Sequence, residues 1–232
     1  VRAGGWADAA RVLAERGPAL PMQGGGPALE QMLALFPTAE VASRPDLQLL
    51  RGLAAFPRFD FEAMVDAMAR AADGYAQAGR HEDAVLARAY AYLGMQNTGQ
   101  LAAAVEGLAQ LQAGPLGDEV RPFVAFCSAW AAYAQGRGDA VAGHLSSMLA
   151  ALEHAKDPQV WDRCFFVSLF TGLPGLRPLL ERFAAGALRL SGDRPSQLRA
   201  GAWHIRAWLA FAEGDVAAAA AHLAHADDDC RW

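Results

Sequence analysis

The sequence predicts an all-α fold, and three compositional observations carry the prediction. Alanine supplies 53 of the 232 residues. Only 16 residues are β-branched, 12 Val, 1 Ile and 3 Thr, too few to cover the pleated faces of a sheet. Leu, Arg, Gln and Glu make up much of the rest, and all are strong helix formers. Buried parallel strands would read as Val/Ile runs, and none is present.

Breakers then set the elements in order. Helices are expected near 6–16, 27–36, 45–55, 60–78, 81–95, 100–113, 118–136, 139–154, 158–171, 175–190, 195–213 and 215–227, about twelve in all. Pro27, Pro45, Pro158 and Pro195 stand at first turns, and Gly79, Gly99 and Gly114 follow last turns. That asymmetry suits a proline that needs no N–H partner and a glycine that closes the helix end.

A period runs through the second half. Gly99, Gly138, Gly175 and Gly214 are 39, 37 and 39 residues apart. Five residues after them stand Ala104, Gly143, Leu180 and Ala219, three of the four small enough to admit a close neighbouring helix. Tyr75-x3-Gly79-x4-Ala84 matches the tetratricopeptide pattern at its aromatic, turn and small positions. The expectation is one domain over 1–232, a right-handed, tetratricopeptide-like α-solenoid of about six antiparallel helix pairs.

Aromatic residues add two helical stripes. Phe123, Phe126, Trp130 and Tyr133 follow 3-4-3 spacing. Trp161, Phe165 and Leu169, with Phe166 and Phe170 beside them, make a broader one. Such stripes read first as inter-helix core; as a functional alternative, Tyr133 and Trp161 line a concave ligand groove.

Charge and cysteine usage exclude several classes. The net charge of −5 is not that of a nucleic-acid-binding surface. The uncharged apolar stretch 122–136 has 15 residues, against about 20 needed for a membrane span. Cys127, Cys164 and Cys230 are widely spaced and form no C-x-x-C, so buried thiols in a reducing, cytoplasmic compartment are expected.

No catalytic or cofactor motif stands in the chain, neither G-x-S-x-G, H-E-x-x-H nor a glycine-rich nucleotide loop, so a non-enzymatic protein without a cofactor is expected. His222-x2-His225, followed by Asp229 and Cys230, has the spacing of a metal-binding helix face, but a polar helix end is the simpler reading and no metal is assigned. Arg182 and Arg189 are seven apart, as are Arg199 and Arg206, which on neighbouring helices would make a basic strip for an anionic ligand or acidic partner. Solvated faces and surface ion pairs are the alternative. Trp203 and Trp208 do not share a helix face, so one of them is expected inside and the other at a contact surface.

Residues 1–110 also carry a family resemblance. Ala9-Ala10-Arg11-Val12-Leu13, the Gly-rich loop after it, the stretch 29–37 closing on Pro37, and Arg44-Pro45-Asp46-Leu47-Gln48-Leu49-Leu50-Arg51-Gly52 resemble a segment of bacterial transcriptional regulators. It recurs in the helical-repeat sensor region of MalT-like regulators of the LuxR type, and in regulators with a transcriptional-activator (BTAD) domain. The resemblance implies a sensor or relay region that binds an effector or a protein partner and is flanked elsewhere by an NTPase switch and a DNA-reading helix-turn-helix. Neither motif set stands in these 232 residues, so no direct nucleic-acid contact is expected from them. The missing initiator Met and the abrupt acidic end at Asp227-Asp228-Asp229 suggest a fragment of a longer chain, with apolar end faces that would pair two copies. A free-standing tetratricopeptide-like adaptor that holds a peptide or partner helix is the alternative.

Overall fold

The computed structural model describes residues 5–21, 25–155 and 159–230, with the side chains of Phe165 and Phe166 left out. The Asp157-Pro158 break, Lys156 and two rings of the second aromatic stripe therefore lie outside the described residues. Among the described residues the chain is all-helical, helix packed on helix, with no strand. No helix among them is long and apolar enough to cross a membrane.

Thirteen α-helices are described: α1 (Trp6–Arg16), α2 (Gly26–Ala34), α3 (Thr38–Ser43), α4 (Pro45–Ala55), α5 (Phe61–Gln77), α6 (His81–Asn97), α7 (Leu101–Ala113), α8 (Arg121–Ala134), α9 (Gly138–His154), α10 (Gln159–Asp162), α11 (Arg177–Ser191), α12 (Gln197–Ala212) and α13 (Val216–Asp229). They gather into two compact units, one ending at Val120 and one starting at Arg121.

Two stretches differ from the expected helices. A short helix, α3, stands between Pro37 and Pro45, too short to show a period. It ends because Arg44 precedes a proline and is driven extended, at φ −110° and ψ 113°. The helix expected over 158–171 is instead α10 followed by a 3-10 segment, Phe165–Phe170. No alanine stands between 156 and 183, and bulky aromatic and β-branched residues there lose side-chain freedom in an α-helix.

One turn recurs. At Phe59, Gly79, Gly99, Gly136 and Gly214 the backbone enters the left-handed region. In each case the next residue donates its N–H to the carbonyl five positions back: Asp60 to Ala55, Arg80 to Tyr75, Gln100 to Met95, Arg137 to Ala132 and Asp215 to Ala210, at 2.9–3.2 Å. This bond satisfies a helix-end carbonyl and closes the helix. The donor residue's own carbonyl then accepts the first bond of the following helix, from Met64, Ala84, Ala104, Val141 and Ala219 respectively. All five of those residues are buried. The result is a series of tight helical hairpins, α4–α5, α5–α6 and α6–α7 in the first unit and α8–α9 and α12–α13 in the second.

This corrects the register of the period. Gly136, at φ +70°, makes the turn before α9, and Gly138 is merely the first residue of that helix. Gly143 is consequently exposed, and Val141 takes the buried place expected for it. Gly175 has φ +78° but follows the 3-10 segment and does not close an α-helix.

Close helix approach in the first unit is set by glycines inside helices. A Cβ on Gly52 would stand 2.7 Å from Met68, on Gly94 2.7 Å from Val65, and on Gly107 2.2 Å from Tyr92. The core between them holds Leu47, Leu50, Met64, Met68 and Leu108, all fully buried. Truncating one such side chain to Ala removes about 2–5 kcal/mol. A polar clamp locks the same region: the Tyr75 hydroxyl donates to Asp46 Oδ1 at 3.0 Å, and Arg80 reaches Asp46 at 2.8 Å and Asp83 at 2.7 Å. Arg80 also lies over the Tyr75 ring at 4.4 Å. Burial, reinforced by the Asp46 carboxylate, pushes the Tyr75 phenol far above its ordinary value.

Candidate functional site

The first unit holds a cleft of about 490 Å³ between α2, α3, α4 and α5. Leu33, Phe36, Val41 and Ala54 give it apolar lining, while Arg51, Arg58, Arg70 and Glu30 give it charge. The face of α4 that meets it carries Gln48 and Arg51 one turn apart, continued by Ala54 and by Arg58 in the 3-10 turn Phe56–Arg58.

The charges are unequally balanced. Arg58 Nη1 lies 2.7 Å from Glu30 Oε1, and Arg70 Nη2 donates to Asp66 at 2.9 Å. Arg51 is exposed and has no acidic partner among the described residues. The cleft therefore has cationic charge left over. Gln48, buried at 1% exposure, lies against the cleft. Its Nε2 donates to the Val41 carbonyl at 2.9 Å, which fixes the orientation of the amide because only the nitrogen can donate. Its Oε1 is buried without a hydrogen-bond partner. An orphaned buried acceptor forgoes about 1–3 kcal/mol, so it stands ready for a donor.

Just outside the cleft, Phe59 holds φ +57° while 68% exposed. A bulky side chain in the left-handed region is strained, and here it occupies the place that glycine takes in the four sister turns. Its ring meets Phe61 edge-on at 6.0 Å.

In the second unit the residues singled out from the sequence separate. Trp161 is core: it packs on Phe183 at 5.6 Å, donates its indole N–H to the Leu152 carbonyl at 3.1 Å, and covers Gly186. It offers no groove surface. The α8 stripe converges on Phe170, met by Phe126, Trp130 and Tyr133 at 6.3, 6.2 and 5.7 Å. Only its last ring, Tyr133, is substantially exposed among the large rings that meet there.

The expected basic strip is broken up by acids and rings. Arg182 forms a two-pronged pair with Glu153, and Arg177 bonds both Glu181 and Glu213. Arg199 Nε lies 3.2 Å from Asp229 without hydrogen-bond alignment. Arg206 lies 5.3 Å over Trp203, and Arg189 is exposed on α11.

Trp203 takes the inner of the two expected tryptophan roles, stacked against His222 at 5.4 Å and His225 at 4.7 Å. Trp208 is 44% exposed beside Phe211. Burial, and then the Arg206 charge, lower the His222 pKa. Burial raises Asp229. Both imidazoles thus cover an indole, and among the described residues no group of three His, Cys, Asp or Glu side chains is placed to hold a metal. Cys127 and Cys164 are buried and burial pushes both thiols up, so neither is a ready nucleophile.

The sequence analysis names Gln48 and Arg51 only within the family resemblance, not as site residues, and does not single out Arg58 or Arg70. A signal was present: Arg44, Arg51 and Arg58 are seven apart, the spacing that drew attention to Arg182–Arg189 and Arg199–Arg206. Nothing in the sequence marks Gln48, whose importance lies in a missing partner. The chain matches no protein-family model, no curated protein and no solved structure.

Proposed function

We propose that this chain is a non-enzymatic sensor region of a bacterial transcriptional regulator, built as a tetratricopeptide-like α-solenoid, that binds an effector and relays its presence to other domains. The observation that carries the reading is the cleft of the first unit. It is lined by Leu33, Phe36, Gln48 and Arg51, residues of two of the segments on which the family resemblance rests. The recurrent hairpin turn supports the repeat architecture, since helices joined by one turn type are what a helical-repeat scaffold requires. An effector that prefers one arrangement of α2–α5 would shift the population toward it by its differential affinity.

Reading the natural gene on both sides of Val1 and Trp232 tests this directly. A phosphate-loop NTPase segment upstream or a helix-turn-helix downstream is the expected result. A gene that encodes neither would overturn the regulator reading. It would favour a free-standing adaptor in a cytoplasmic setting, for which the exposed Trp208, Phe211 and Leu223 of the second unit offer apolar contact surface to a protein partner or second copy.

A further inference from the structure

We infer that the cleft between α2 and α5 is a binding site for a small organic acid, with an apolar body and a hydrogen-bond donor next to its carboxylate. The inference rests on the reading of this chain as effector-binding, and it names the class of ligand. Three observations meet in one place.

The cavity of about 490 Å³ is within the range that holds a small-molecule ligand. Its Leu33, Phe36, Val41 and Ala54 side chains suit a hydrocarbon or aromatic body.

The charge is cationic and only partly spent. Glu30 and Asp66 neutralise Arg58 and Arg70, whereas Arg51 faces no acid among the described residues. A guanidinium matches a carboxylate with two parallel N–H bonds, which binds and orients it. One unspent cation selects a monoanion over a polyanion.

Gln48 supplies the third element. Its amide nitrogen is committed to Val41 and its oxygen has no partner, so the free function is an acceptor alone. Arg51 is three residues further along α4, on the same face. A ligand held by Arg51 through its carboxylate brings an adjacent hydroxyl or ammonium toward Gln48 Oε1, and the bond forms only when that buried oxygen is uncovered. The class defined this way is a 2-hydroxy or 2-amino carboxylic acid with an aliphatic or aromatic side chain.

The test is calorimetric titration of the intact chain with four probes: 3-phenyllactate, 3-phenylpropionate, 3-phenylpropanol and inorganic phosphate. The first has anion, donor and body; the others lack the donor, the anion and the body in turn. Phenyllactate is expected to bind about tenfold tighter than phenylpropionate, the worth of one hydrogen bond to a buried acceptor. Arg51→Gln, a change at an exposed position, is expected to weaken both acids about tenfold and leave the alcohol unchanged. Gln48→Met is expected to erase the difference between the two acids.

Equal binding of phenylpropanol and phenyllactate would overturn the inference, as would phosphate binding as tightly as phenyllactate, an unchanged affinity in Arg51→Gln, or no heat with any probe. These outcomes are separate from the gene-context test. Acid binding in a chain without regulator segments would keep the ligand class and discard the regulator.

Discussion

Gly136 and Gly138 look interchangeable in the sequence, yet they should respond oppositely to alanine. Space does not distinguish them, since a Cβ at either position meets nothing within 4 Å. The backbone does. Gly136 holds φ +70°, where alanine costs about 1–2 kcal/mol. Removing a glycine from the unfolded chain returns about 0.4–1 kcal/mol. Gly136→Ala is therefore expected to lose about 1 kcal/mol net. Gly138 is the first residue of α9 and is not among the positive-φ positions, so only the unfolded-state gain applies and Gly138→Ala is expected to gain about 0.5 kcal/mol. At about 4 °C per kcal/mol for a unit of this size, the two variants should melt roughly 6 °C apart. Differential scanning calorimetry or urea unfolding followed by circular dichroism reads the gap. If Gly136→Ala were as stable as Gly138→Ala, the recurrent turn would not sit at Gly136, and the repeat register would revert to the one the spacing alone suggests.

Further outcomes follow from other sites. Tyr75→Phe keeps the ring and deletes the bond to Asp46, so a loss of about 1.5–3 kcal/mol is expected in urea unfolding, more than surface hydroxyl deletions cost. His144 and His222 both have folded-state pKa values lowered below 6.5, His144 by burial and then by Arg137. The unfolded chain thus binds protons that the folded chain resists, so stability is full above pH 6.5 and falls as the pH drops through the lowered values. The double variant His144→Gln/His222→Gln should flatten the melting-temperature profile below about pH 6.5, and an unchanged profile would show that other groups set it. An aromatic disulfide reagent should titrate only Cys230 in the native chain and all three thiols in denaturant; fast native reaction at Cys127 or Cys164 would contradict their burial.

The sequence discloses helix class and most helix positions because alanine content and prolines act locally. Pro45 starts α4 and the Gly79 and Gly99 turns close α5 and α6 where the punctuation indicates. It misleads where two candidates compete within one turn, as at Gly136 and Gly138, since only the hydrogen bond from Arg137 to Ala132 decides between them. It also misleads over 158–171, where aromatic spacing imitates a helix but bulky residues without alanine lose side-chain freedom in one, and the segment Phe165–Phe170 is 3-10. The candidate site was less legible still. Trp161 and Arg182 carried the chemical types of a contact surface, but Trp161 is core and Arg182 is held by Glu153. Gln48 matters because of what its oxygen lacks, a relation between distant residues that no local pattern encodes.

The recurrent hairpin turn has a consequence for the speed of self-assembly. Its partners are neighbours along the chain: α4 with α5, α5 with α6, α8 with α9, α12 with α13. Few long loops must close before these pairs are rewarded, so the topological barrier to forming each pair is low. Each hairpin joins helices made one after the other, so its packing partners are both present as soon as the second leaves the ribosome.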